Sequence, residues 1–138
     1  MELENDFELY NLYIGRFQPP HIGHMHIFQQ SLSLGEKICI AIRNVKPDEK
    51  SPLSSSDVKK LWEKIYADNV NVKVIIIPNV KAVKYGRGVG YNVEEIVVEE
   101  NIASISATQI RKDIFENKEE WKSKVSPIIW NDVKKLLS

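Results

Sequence analysis

Lys37 to Arg43 reads KICIAIR, five apolar residues in unbroken succession between two cations. Strict alternation would mark a strand with one wet face; a short run with no polar interruption suits a strand covered on both faces of a parallel sheet. Two more β-branched and aromatic runs flank it: ELYNLYIG (Glu8 to Gly15) ahead and NVKVIIIP (Asn71 to Pro78) behind. Each gap between them holds a segment of helical length and period. HIGHMHIFQQSLSL places Ile22, Met25, Phe28 and Leu32 on one face, with Gly35 as its stop. DVKKLWEKIYAD places Val58, Leu61, Trp62 and Ile65 in a stripe, and Ser55 or Ser56 can cap it.

Strand, helix, strand, helix, strand is the pattern of an α/β fold. Further along, NVEEIVV (Asn92 to Val98) reads as a fourth strand, and ASISATQIRKDIF turns helical near Thr108. Ser126 and Pro127 supply a cap and a first-turn proline for a last helix, PIIWNDVKKLL. The expectation is one domain over residues 1–138, a three-layer Rossmann-like fold. Its parallel sheet should have about four to five strands, with helices on both faces. Ligands in such sheets sit beyond the carboxyl ends of the strands.

Charge narrows the partners. Nineteen basic residues balance nineteen acidic ones among 138, so no overall field points to nucleic acid or an anionic membrane. Cys39 is the single cysteine and sits inside KICIAI, which excludes an internal disulfide and reads as a buried thiol of a reducing compartment. No run reaches transmembrane length, and MELENDFELY is acidic where a targeting signal would be basic. The expected setting is cytoplasmic. Three tryptophans and the aromatic first strand can serve a homo-oligomer interface or the core.

The first strand runs straight into GRFQPPHIGH, Gly15 to His24. His21 and His24 lie one turn apart in a helix that starts there, beside unpaired backbone N–H groups and the positive end of the helix dipole. Two imidazoles at such a terminus can clamp a phosphate. Gly15 and Gly23 let backbone or ligand come close. Other readings stay open for the pair: exposed first-turn residues, capping or core histidines, or a metal site with His26. The last is poorly placed, because His26 points about 160° from His24 on a regular helix, and no Cys, Asp or Glu adjoins them. No protein metal ligand is therefore expected.

GRFQPPHIGH resembles the first signature of the nucleotidyltransferase superfamily, HxGH, which also occurs as HIGH in class I aminoacyl-tRNA synthetases. A chain of 138 residues leaves no room for a tRNA-binding apparatus, so the synthetases are set aside. SISATQIRK (Ser104 to Lys112) resembles the superfamily's second signature, ISxTxxR, with Ile105, Ser106, Thr108 and Arg111 on the matching positions. The form GRFQPxHxGH is similar to the archaeal-type nicotinamide mononucleotide (NMN) adenylyltransferases, as is the tail WKSKVSPIIWNDVKKLL.

The resemblance implies transfer of AMP from ATP, with Mg²⁺ carried on the nucleotide, to the phosphate of NMN. It gives His21, His24 and Arg111 catalytic roles, and places Gly15, Arg16, Phe17, Gly23, Ser106 and Thr108 around the nucleotide. The chain departs from the family between the third strand and ISATQIR, where VKAVKYGRGVGY stands. There Arg87 could hold a phosphate and Tyr85 or Tyr91 could stack on a base; Arg43, at the end of the second strand, is a further candidate for the acceptor. That departure keeps two alternatives: a cytidylyltransferase or another adenylyltransferase on a small phosphate ester, and a catalytically quiet nucleotide sensor.

Overall fold

The computed structural model describes residues 7–88, 90–94 and 105–138. Its three strands, β1 (Tyr10–Gly15), β2 (Lys37–Arg43) and β3 (Val72–Ile77), form a parallel sheet in the order β1-β2-β3. The register sets Gly15 opposite Ile42 and Ile42 opposite Ile76, so all three strands end level at one edge. β2 is the central strand, and all five residues from Ile38 to Ile42 are buried, as the unbroken apolar run requires.

Helix α1 (Ile22–Leu32) joins β1 to β2, and α2 (Ser55–Ile65) joins β2 to β3. Two βαβ steps taken in the same direction, each with the right-handed sense of such crossovers, put both helices on one face of the sheet. Helices α3 (Ala107–Phe115) and α4 (Trp130–Leu137) follow, linked by two 3₁₀ turns, Glu120–Lys124 and Pro127–Ile129. A single core unites them: Ile38, Ile40 and Ile42 from β2 meet Phe28, Trp62, Ile110 and Ile129 from the helical side. On the opposite sheet face, Leu12, Ile14, Cys39 and Ala41 belong to no part of that cluster.

Two expectations change here. The expected second helical layer is not found among the described residues, because a sheet built in the order β1-β2-β3 sends every right-handed crossover to the same side. Three strands are described; of the fourth expected at Asn92–Val98, residues 92–94 carry no regular structure and residues 95–98 lie outside the described residues.

Local signals fare better. α1 ends where Gly35 adopts φ +74, letting Glu36 N–H reach Ser31 O at 3.1 Å. Tyr13 Oη and Ser31 Oγ share a hydrogen bond of 2.6 Å, and Asn11 Nδ2 donates to the same hydroxyl at 2.8 Å, fixing α1 on β1. The cap of α2 is Ser54, not Ser55 or Ser56; its Oγ accepts from Asp57 N–H at 3.1 Å. Ser55 is instead buried and donates to Asn44 Oδ1.

Candidate functional site

The carboxyl edge of the sheet gathers the loop after β1, the loop after β2 and the N-termini of α1 and α2. His21 is the N-cap of α1, with an extended backbone (φ −142, ψ 173), and its Nδ1 accepts from Gly23 N–H at 3.0 Å. His24 sits at N3 and its Nδ1 accepts from His21 N–H at 3.1 Å. Together they form a capping box whose two acceptors are both imidazole nitrogens.

This geometry fixes the tautomers. An Nδ1 that accepts a hydrogen bond carries no proton, so each neutral ring holds its proton on Nε2. Neither Nε2 has a protein partner among the described residues. The rings stack with centroids 3.6 Å apart and planes 20° from parallel. Burial pushes the His21 pKa down to about 4. It holds His24 well below the ordinary value as well, with repulsion from His21 adding to the effect. The pair is therefore neutral at physiological pH and offers two N–H donors side by side.

Phe17 forms the floor of this site. It is 7% exposed, adopts φ +54, and packs edge-on against His24 (4.9 Å between centroids) and Trp62 (5.4 Å). Its ring lies within the core, edge-on to His24. Gly15 makes that possible: a Cβ there would stand 2.9 Å from Phe17 Cζ. The glycine thus admits an aromatic ring of the protein itself. Gly23 is buried in the first turn of α1.

Positive charge comes from two arginines. Arg111 Nη1 donates to the backbone carbonyl of Gln18 at 2.7 Å, and Nη2 reaches Thr108 Oγ1 at 3.4 Å. That contact carries α3 to the β1–α1 loop across 93 residues of chain. Arg16 Nη1 donates to Ser51 Oγ at 3.0 Å. Burial lowers the Arg111 pKa, and the charge of Arg16 lowers it further. Neither has a carboxylate partner among the described residues. Two like charges held close with no acid between them are a setting for an anion. Ser106 caps α3, accepting from Gln109 N–H at 3.3 Å.

The structure thus brings together His21, His24, Arg16, Arg111 and Thr108 around the Gly15–His24 loop. It does not join the Gly-rich segment to them: Tyr85, Arg87 and Tyr91 are exposed and make no hydrogen bond, ion pair or ring contact with those residues. Tyr85 and Tyr91 lie against each other, centroids 6.4 Å apart. Arg43 Nη2 is engaged by Asn79 Oδ1 at 2.9 Å and Val80 O at 3.1 Å, anchoring the start of that segment to β2. Sequence reasoning missed Gln18, Ser51 and Trp62. A polar glutamine wedged between Phe17 and two prolines was the one visible hint.

Among the described residues no three His, Cys, Asp or Glu side chains cluster to hold a metal ion, and no helix is long and apolar enough to cross a membrane. The donors at this site are N–H groups and guanidinium groups, which do not ligate a cation. The Mg²⁺ that the resemblance implies would need oxygen ligands other than these donors.

Residues 12–76 match the family described as cytidylyltransferase-like. This stretch runs from within β1 to within β3 and includes both His21 and His24. It ends before α3, so Ser106, Thr108 and Arg111 lie beyond it. A phosphopantetheine adenylyltransferase of Aquifex aeolicus (strain VF5) is 32% identical over 63 residues, 46% of this chain. The chain spans 38% of that relative's length in the match. The β1–β3 region is therefore an α/β unit similar to the cytidylyltransferase-like family and distantly similar to an adenylyltransferase.

Proposed function

We propose that this chain is a nucleotidyltransferase that moves AMP from ATP to the phosphate of a small acceptor, with NMN as the acceptor and NAD and pyrophosphate as the products. The observation that carries the reading is the convergence of two unpartnered imidazole Nε2–H donors with Arg16 and Arg111 at the carboxyl edge of the sheet.

An acceptor phosphate oxygen forms a bond to the α-phosphorus of ATP while the bond from that phosphorus to the bridging oxygen breaks. The bonding pair leaves on pyrophosphate. Such transfers ask the protein for positioning and charge neutralisation more than for covalent chemistry. The neutral histidines supply directed hydrogen bonds to oxygens whose charge grows in the transition state. Arg16 and Arg111 supply the positive charge, and Thr108 and the N-termini of α1 and α3 add donors.

NMN as acceptor rests on the GRFQPPHIGH string and the C-terminal tail. The similarity to a phosphopantetheine adenylyltransferase favours a second reading, in which the acceptor is a different phosphate monoester such as phosphopantetheine. Pyrophosphate release from ATP and CTP, each crossed with NMN, nicotinate mononucleotide and phosphopantetheine, separates the two. Turnover with ATP and NMN alone supports the first; turnover with phosphopantetheine moves the acceptor, and a preference for CTP moves the nucleotide. Arg111→Ala should lower turnover by about 10²–10³-fold while the far-ultraviolet spectrum stays native. Near-normal turnover by this variant would remove Arg111 from the catalytic machinery, and tight ATP binding by the native chain with no turnover on any acceptor would replace the enzyme with a sensor.

A further inference from the structure

Gln18 stands between the two arginines of the site and touches the support of each. Its side chain is 5% exposed and lies flat against the backbone of Leu53, in the loop after β2. Nε2 donates to Leu53 O at 2.9 Å, and Oε1 accepts from Leu53 N–H at 2.8 Å. Only a side chain with a donor and an acceptor on one planar group can make both bonds, and both lie in the buried interior.

What Leu53 fixes is Ser51. The stretch from Asp48 to Ser51 is a self-closed turn: Asp48 Oδ1 accepts from Lys50 N–H at 2.9 Å and from Ser51 N–H at 2.8 Å, and Asp48 N–H donates to Ser51 O at 3.1 Å. Latching Leu53 to Gln18 therefore holds a rigid turn, not a free strand. The turn delivers the Ser51 hydroxyl, on a residue 2% exposed, to Arg16 at 3.0 Å. Arg111 is held differently. It rests on the backbone carbonyl of Gln18, at 2.7 Å, and so does not depend on the Gln18 side chain.

We infer that Gln18 is a positioning residue of the triphosphate clamp, acting through Leu53 and Ser51 on Arg16 while leaving Arg111 in place. The inference rests on the reading of the site as a triphosphate clamp and adds a direction to it. Side-chain changes at position 18 disable one arginine and spare the other.

A double-mutant cycle in the intact chain tests this. Methionine matches glutamine in length but offers neither partner to Leu53. Gln18→Met should weaken binding of inorganic tripolyphosphate and of Mg·ATP, measured by titration calorimetry, by about tenfold, the worth of one charge-assisted contact. Arg16→Ala should weaken it by a similar factor in the native background and by almost none in Gln18→Met. Arg111→Ala should keep its full effect in both. A merely structural glutamine would give equal factors for Arg16→Ala in the two backgrounds, and that result overturns the inference.

Ser51→Ala guards against a Gln18→Met chain that does not fold. It leaves the Gln18–Leu53 bonds intact and should be equally non-additive with Arg16→Ala; additivity there also overturns the inference. If the native chain binds neither probe, the clamp reading falls, and the latch is judged without ligand. Leu53 amide exchange that speeds up in Gln18→Met supports the latch, and exchange unchanged from native overturns it.

Discussion

Replacing His24 with asparagine separates two jobs that the imidazole performs at once. The ring caps α1 through Nδ1, accepting from His21 N–H at 3.1 Å, and it presents Nε2–H to the site. Asparagine Oδ1 hangs from Cγ as Nδ1 does, so it can keep the capping bond, but no atom of the side chain reaches where Nε2 lies. Alanine removes both. The stability term follows from the contacts. A lost capping acceptor costs about 1 kcal/mol, and the edge-on contact with Phe17 at 4.9 Å adds about 1 kcal/mol of its own.

His24→Ala should therefore lose about 2 kcal/mol, and His24→Asn about 1 kcal/mol, since only the ring contact goes. For a chain of 138 residues each kcal/mol shifts Tm by roughly 4 °C. Turnover should not follow that order. Both variants lack the Nε2 donor, so both should fall by about 10²–10³-fold in kcat. Thermal unfolding followed by circular dichroism, set beside pyrophosphate release, reads the two quantities independently. If His24→Asn turned over at close to the native rate, the Nε2 donor would have no part in the reaction. If His24→Ala melted at the native temperature, the capping box would contribute nothing, and the tautomer argument built on it would fail.

Acid should destabilise the fold through His21. Its pKa is about 4 in the folded chain, against about 6.5 when unfolded, so the unfolded chain binds the extra proton across that window. The contribution is complete above pH 6.5, declines as the pH falls, and has cost about 3 kcal/mol below pH 4; urea unfolding of His21→Asn should show a flatter pH slope than native, and an identical slope would contradict the assignment. Gly15→Ala should destabilise by about 1–3 kcal/mol through overpacking, because its Cβ would stand 2.9 to 3.2 Å from three atoms of the Phe17 ring. The same substitution made in Phe17→Ala should cost almost nothing in urea unfolding, and a full cost there would show that the ring is not the obstacle.

The elements were legible where local chemistry decides them. KICIAIR and the helical stripes reach the structure with boundaries shifted by up to three residues, Ser126 and Pro127 open a 3₁₀ turn ahead of the last helix, and the capping serine of α2 slipped because three adjacent serines offer the same hydroxyl. The layer arrangement was not legible. Which face a helix covers depends on the order of strands in space, and no local pattern encodes that Leu12 and Ile14 point away from every described helix. In the site, HxxH and SxTxxR pointed to residues that the structure sets around one loop, His21, His24, Thr108 and Arg111. They did not disclose that both Nδ1 atoms are spent on backbone N–H groups, nor that Gln18 spans 35 positions to meet Leu53. Those facts need the third dimension, since one glutamine in a turn looks like any other.

The fixed tautomers also decide how the site divides its electrostatic work. Two histidines near a phosphate invite the idea of an imidazolium pair, yet rings stacked at 3.6 Å in a buried setting repel if both are charged. With both histidine pKa values depressed, a polyphosphate bound as proposed would meet its positive charge at Arg16 and Arg111. Arg16 is exposed, and its charge adds to the partial burial of Arg111 in lowering the Arg111 pKa. On the proposed reading, a polyphosphate would offset the repulsion between these two charges, which are carried 95 residues apart in the chain. The histidines, neutral and braced by the helix they cap, add direction without adding to that repulsion. A clamp of the proposed kind would select for charge through its arginines and for geometry through its imidazoles.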